Sequence, residues 1–148
     1  MTDDQEYDAW ALTVTPEITT DTLWRTPAYR FALYMMSRAQ ADIEWILRHR
    51  ATRALADQLL RAVGGISASI DEGYSRSSGR ERAHFYEYGL GSARESRGWY
   101  YKCSVALPPE VTAARLARLS RIVRILTAVI PREREQNGRW RKRRDESD

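Results

Sequence analysis

Hydrophobic residues return at helical intervals over most of this chain. After Pro27, which suits the first turn of a helix because its missing N–H is not needed there, Tyr29, Leu33, Met36, Ile43 and Leu47 recur at steps of three, four and seven. Arginines and acids fill the gaps, so the spacing predicts an amphipathic helix to about His49. A second helix is expected from Ala51 or Thr52, with Leu55, Leu59, Ala62, Val63, Ile66 and Ile70 as its stripe. Gly64-Gly65 interrupts that stripe at a cost of roughly 1 kcal/mol per glycine, which predicts close approach by a neighbouring helix. A third stripe mixes small and aromatic residues: Phe85, Tyr88, Gly89, Ser92, Ser96, Trp99, Tyr100 and Cys103. "ALPPE" ends it, since Pro108 and Pro109 cannot continue a hydrogen-bond ladder and Pro109 can open the next helix. The fourth helix is expected over Glu110 to Ile130, with Leu116, Leu119, Ile122, Val123, Leu126, Val129 and Ile130 in one arc. Arg118, Arg121 and Arg124 fall away from that arc, Arg115 starts at its edge, and Pro131 is expected to stop the element.

Four amphipathic helices with short connections and no convincing strand predict an all-α protein, most simply an antiparallel up-and-down four-helix bundle. Residues 1–24 read as a flexible acidic arm, 25–131 as the bundle and 132–148 as a basic, disordered tail. There is no internal repeat, and 148 residues suffice for one modest core.

Charge sharpens this division. Residues 1–21 hold six acids and no base, residues 131–144 seven bases against two acids, and the span between seventeen bases and nine acids. A basic body and tail point to a polyanion partner, nucleic acid being the commonest, or to solvation alone. The acidic arm and basic tail are also complementary to each other. No apolar run nears the ~20 residues of a membrane helix, the acidic start lacks the plan of a secretory signal, and the lone Cys103 precludes an intrachain disulfide. The expected location is the cytoplasm.

The most unusual stretch is "IDEGYSRSSGRERAHF", Ile70 to Phe85. Its composition invites a catalytic reading, but its spacings do not. Ser78-Gly79-Arg80-Glu81 fits a capping box, which gives Glu81 a structural task. Glu81-x-x-His84 has the spacing of a di-iron ligand pair, yet such a site needs a second Glu-x-x-His, and the other histidine, His49, has Ile46 in the matching place. Asp71 and Glu72 are adjacent and point about 100° apart on a helix. Cys103 and His84 would be roughly 28 Å apart along one helix, too far for a nucleophile and its base. No phosphate-binding glycine loop occurs. Neither a catalytic group, a metal site nor a cofactor is expected.

The same stretch resembles a four-helix-bundle family that includes proteins encoded in intervening sequences of bacterial 23S ribosomal RNA genes and, more distantly, accessory proteins of diversity-generating retroelements. The family pattern S-x-x-x-N-I-A-E-G-[FY]-x-R-x-S-x-x-E-F-x-[RH]-F-L-x-x-A-x-G-S-x-x-E is matched by Ile70, Glu72, Gly73, Tyr74, Arg76, Ser78, Glu81, His84, Phe85, Gly91, Ser92 and Glu95. Upstream, "DQLLRAVGGISASI" matches through Asp57, Gln58, Leu59, Arg61, Ala62, Ile66 and Ile70. Ser69 stands where the family usually has Asn, Asp71 and Gly89 where it has Ala, and Arg82-Ala83 in the E-F region. The resemblance spans about residues 25–130. It implies a ring-like homo-oligomer, a homopentamer, without enzymatic activity. Its retroelement relatives bind nucleic acid and a reverse transcriptase through a basic surface.

Two functions therefore compete. One is a self-assembling scaffold whose partner is another copy of itself or another protein, with Glu72, Arg76 and Glu95 pairing helices or subunits. The other is an RNA- or DNA-binding accessory protein, using Arg118, Arg121 and Arg124 with the tail residues Arg139, Trp140, Arg141, Lys142, Arg143 and Arg144. In that tail an aromatic could stack on a base while arginines meet phosphates.

Overall fold

The chain turns helical almost at once. In a computed structural model, which describes the backbone of residues 1–145 and side chains through residue 136, Thr2 caps helix α1 (Asp3–Ala11). Its hydroxyl accepts from the Gln5 N–H (3.2 Å), and the Gln5 side chain accepts in return from the Thr2 N–H (2.9 Å). This is a complete capping box, with Asp3, Asp4 and Glu6 in the first turn, where the helix dipole favours anions. A one-turn helix α2 (Pro16–Thr19) and a 3-10 turn (Thr22–Arg25) follow. The first 24 residues, expected as a flexible arm, are thus largely helical, and α1 packs on the helix that comes next.

Four long helices make the rest: α3 (Pro27–Arg48), α4 (Ala56–Tyr74), α5 (Gly79–Lys102) and α6 (Pro109–Asp145). The all-α expectation holds, with six α-helices among the described residues rather than four. α4 starts later than expected because residues 53–55 form a 3-10 turn, anchored by buried Thr52, whose hydroxyl donates to the Ile46 carbonyl (2.8 Å). Ser78 caps α5 as expected, its Oγ accepting from the Glu81 N–H (3.1 Å), but among the described residues the Glu81 side chain does not return the bond to the Ser78 N–H that a full capping box would have.

α6 departs most from expectation. It runs through Pro131 instead of stopping there. A proline in a helix forfeits one backbone hydrogen bond, but the following turn is tied to α5 by ion pairs. Arg82 Nε donates to Glu133 Oε2 (2.8 Å), and Arg134 pairs with Glu87.

α3 packs on α4 and α6, and α5 on the same two helices, around one apolar core. Fully buried Met35, Ala39 and Ile46 meet Leu59, Val63, Ile66 and Ile70, Ala93 and Tyr100, and Leu119, Ile122 and Leu126. Each large aliphatic side chain so buried contributes about 1.5–3 kcal/mol. Two stripes are rotated from expectation. α3 buries the row Ala28, Ala32, Met35, Ala39, Asp42 and Ile46 and leaves Leu47 exposed. α5 buries Ala83, Tyr86, Gly89, Ala93, Ser96 and Tyr100 and turns Tyr88 outward at 58% exposure. Small residues let α5 settle close to its neighbours, and the bulkier aromatic row faces out. Gly73 marks the closest approach: a Cβ there would lie 2.7 Å from the Tyr86 ring. At Gly65 it would lie 3.0 Å from Ser92 Oγ, the tight helix contact that the Gly-Gly pair predicts.

Candidate functional site

The family-pattern residues lie mostly outside. On α4, Asp57, Gln58, Arg61 and Glu72 are exposed, and Tyr74 and Arg76 follow at its end. The side chains of Asp57, Gln58 and Arg61 make no hydrogen bond or ion pair with any described residue. On α5, Arg80, His84, Tyr88, Gly91, Glu95, Gly98 and Lys102 recur at steps of three and four, so they form one outward face. All are exposed except half-exposed Gly98.

The two rows join. Arg76 pairs with Glu72 (3.0 Å) and lays its guanidinium 4.7 Å from the Phe85 ring centroid. Phe85 in turn packs with His84 and Tyr88, at 5.8 and 6.2 Å between centroids. Farther along, Glu95 accepts from Trp99 Nε1 (3.4 Å), and the Lys102 ammonium stands 4.1 Å from the Trp99 ring. Gly91 is conspicuous in this row. Nothing lies within 4 Å of where its Cβ would be, and the same is true of Gly98, seven residues on. Of the pattern residues, Leu59, Ala62, Ile66, Ile70 and Gly73 are buried, Ser78, Phe85 and Ser92 are half-buried, and the others are exposed.

The three arginines that α6 was expected to present differ from one another. Arg121 and Arg124 are exposed, but the Arg118 side chain is only 2% exposed. The apolar arc places Arg118 outside the core, as the spacing predicts; α1 then covers it. Arg118 donates to Asp3 Oδ2 from Nε (3.0 Å) and Nη2 (2.7 Å), and to Asp4 Oδ1 (2.8 Å). Tyr34 donates to Asp3 Oδ1 (2.9 Å), and burial, then this bond, push its phenol well above the ordinary range. The acidic arm thus pairs with the body of α6. Arg139, Trp140, Arg141, Lys142, Arg143 and Arg144 lie outside the described side chains.

One polar cluster is invisible to a reading by stripes. Asp42, Tyr100 and Arg115 meet inside the protein, from α3, α5 and α6. Tyr100 donates to Asp42 Oδ2 (2.8 Å), and Arg115 donates to the same carboxylate through Nε (2.7 Å) and Nη2 (3.1 Å). Burial alone would lower the Arg115 pKa, but its bonds to Asp42 outweigh that and hold the guanidinium charged. The signal was present: Asp42 falls in the row Ala39, Asp42, Ile46, and Arg115 at the edge of the α6 arc. An acid and a base each displaced into an apolar stripe point to each other.

The chemistry-bearing residues stay apart. Cys103 is buried, and burial raises its thiol pKa. Glu81 and His84 are exposed on α5. Among the described residues no three His, Cys, Asp or Glu side chains are placed to hold a metal ion, and no described helix is long and apolar enough to cross a membrane. Burial raises the Asp71 pKa, against the bond it accepts from Tyr29.

No curated protein and no solved structure matches this sequence significantly. A family model does: that of the 23S rRNA-intervening sequence protein, over residues 38–128. The match takes in the second half of α3, all of α4 and α5 and the first half of α6, more than half of the chain, and includes the outward α4–α5 face. The chain belongs to the 23S rRNA-intervening sequence protein family.

Proposed function

We propose that this protein is a self-assembling scaffold, an antiparallel four-helix bundle whose first partner is another copy of itself. The outward face of α4 and α5 makes the contact, and the closed assembly is a homopentamer with no reaction of its own. Gly91 carries this reading. A glycine inside an exposed helix costs about 1 kcal/mol relative to alanine, and nothing in its own subunit crowds the position. A helix from another subunit would use that space. Gly98 on the same row and the exposed Tyr88 ring support it, as aromatic side chains are favoured at interfaces.

Light scattering on the eluting protein tests the reading. The expected mass at micromolar concentration is five times the 17.1 kDa chain, and Gly91→Leu is expected to lower it while circular dichroism keeps its helical signal. A strict monomer would sink the proposal.

A second reading, nucleic-acid binding, is favoured by Arg121 and Arg124, both exposed on α6 ahead of the Arg-rich residues 139–144. Phosphate contacts there would make RNA affinity fall steeply with salt, and a chain ending at Ile130 would show a flatter slope.

A further inference from the structure

Beneath α1 lies a surface whose chemistry is that of a single-strand binding platform. α3 and α6 bring Arg30, Arg38, Arg118 and Arg121 together with the rings of Phe31 and Tyr34. The Arg118 guanidinium stands 4.7 Å from the Phe31 centroid and 5.4 Å from that of Tyr34, and Arg121 is 4.6 Å from Phe31. α1 covers this surface with carboxylates on the cations and rings on the rings. Asp3 and Asp4 hold Arg118, Asp4 is 3.6 Å from Arg121, and Glu6 is 3.7 Å from Arg38. Tyr7 packs edge-on to Phe31 (5.2 Å) and Tyr34 (5.4 Å), and Trp10 lies 5.4 Å from Tyr34.

We propose that α1 occupies, in place of a nucleic acid, a binding platform for single-stranded RNA or DNA, and that such a strand displaces it. Carboxylates stand where phosphates would, and Tyr7 and Trp10, edge-on and tilted, fill the space that bases would take beside Phe31 and Tyr34. Proteins that bind single strands combine these same parts, a cationic groove and aromatic stacking partners. The cover is built to leave. α1 has nine residues, none of them fully buried, and so short a helix is marginal by itself. A strand carries one negative charge per nucleotide and releases counterions on binding, so it outcompetes three carboxylates at low salt. α1 lies outside the family match, as do Arg30, Phe31 and Tyr34 of the platform, whereas Arg38, Arg118 and Arg121 lie within it. This inference rests on the nucleic-acid reading and relocates its site from the exposed side of α6 to the covered one.

Fluorescence anisotropy with a labelled 20-nucleotide single-stranded RNA tests it on the full chain. Asp3→Asn with Asp4→Asn is expected to tighten binding about tenfold, as loss of the arm's main ion pairs would. Asp8→Asn with Glu17→Gln changes net charge equally at exposed sites in the same region, and is expected to change affinity about twofold or less. In the wild type, the RNA is expected to speed hydrogen exchange of the α1 amides. Equal gains in both variants, or α1 amides that exchange no faster with RNA, would overturn the proposal while leaving the exposed arginines and tail as a site. No RNA binding by any variant at low salt would end the nucleic-acid reading altogether. If poly-glutamate opens α1 as well as RNA does, or a duplex binds as tightly as the single strand, the assignment to single strands fails.

Discussion

Arg115 of α6 meets Asp42 of α3 through two parallel hydrogen bonds, 2.7 and 3.1 Å long, with the Asp42 side chain only 1% exposed. Tyr100 of α5 donates to the same carboxylate, so one acid ties three of the four long helices. Such a pair repays its desolvation through geometry, and breaking it strands a charge in the core.

Asp42→Ala is therefore expected to cost about 3–5 kcal/mol, because Arg115 stays buried without its partner. The double variant Asp42→Leu with Arg115→Met is expected to cost much less than the two single changes together, as both charges leave at once. Urea denaturation of the four proteins measures this. Additive costs would mean that the two side chains do not depend on each other.

The buried phenols predict an alkaline transition. Burial, then Asp42, pushes Tyr100 well above 10, and burial raises Tyr34 likewise; Tyr29 and Tyr86 are each pushed up to about 12, again chiefly by burial. A phenol whose pKa is higher folded than unfolded keeps its full contribution to stability below the unfolded value and loses it as pH rises toward the folded one. Stability is thus expected to hold below pH 10 and fall above it. A phenolate absorbance titration is expected to show four of the eight tyrosines titrating only as the helical signal collapses. Eight tyrosines titrating together before unfolding would contradict the packing.

Gly73 makes a third case. Its missing Cβ leaves room for the Tyr86 ring, which would otherwise be met at 2.7 Å, with the Arg82 carbonyl at 3.1 Å behind. Alanine is a better helix former by about 1 kcal/mol, so propensity alone predicts a gain. The crowding reverses the sign. Gly73→Ala is expected to destabilise by about 1–3 kcal/mol, read as a lower denaturation midpoint at unchanged slope. A gain in stability would show that Tyr86 has somewhere else to go.

Legibility followed the kind of signal each element carries. α3 and the cap of α5 stand in the sequence because Pro27 and Ser78-x-x-Glu81 are local and each acts on its own turn. The helical faces were harder to place. In α5 the aromatic row looks like core, but Tyr88 is outside and Ala83, Tyr86 and Ala93 are inside, because how closely a neighbour approaches is a tertiary property. α1 has the signature Thr2-x-x-Gln5, as local as that of Ser78, but only three carboxylates and two rings on one face instead of an apolar stripe. A segment held down by ion pairs to Arg118 and Arg121 leaves no hydrophobic period to read. The exposed family pattern on α4 and α5 is visible in the sequence as a pattern, and only the fold shows that it is a surface.

Pro131 separates two views of the last helix. Its pattern ends there in the sequence, while the backbone of α6 continues and engages α5 through Arg82–Glu133 and Glu87–Arg134. If the helix ended at this residue, Pro131→Ala would replace one exposed residue by another and change stability by no more than about 0.5 kcal/mol. Inside a continuous helix the same change returns a backbone N–H to the ladder and removes a ring from the path of the preceding turn. The gain is then of the order of 3 kcal/mol, the difference between proline and alanine in a helix interior. The residues after Pro131 hold α6 to α5, so that gain is expected to shrink when Arg82→Ala and Glu87→Ala release them. A thermal melt of Pro131→Ala with and without those two changes decides the matter. Stabilisation that depends on them places the turn after Pro131 within the folded unit, and a neutral Pro131→Ala places it outside.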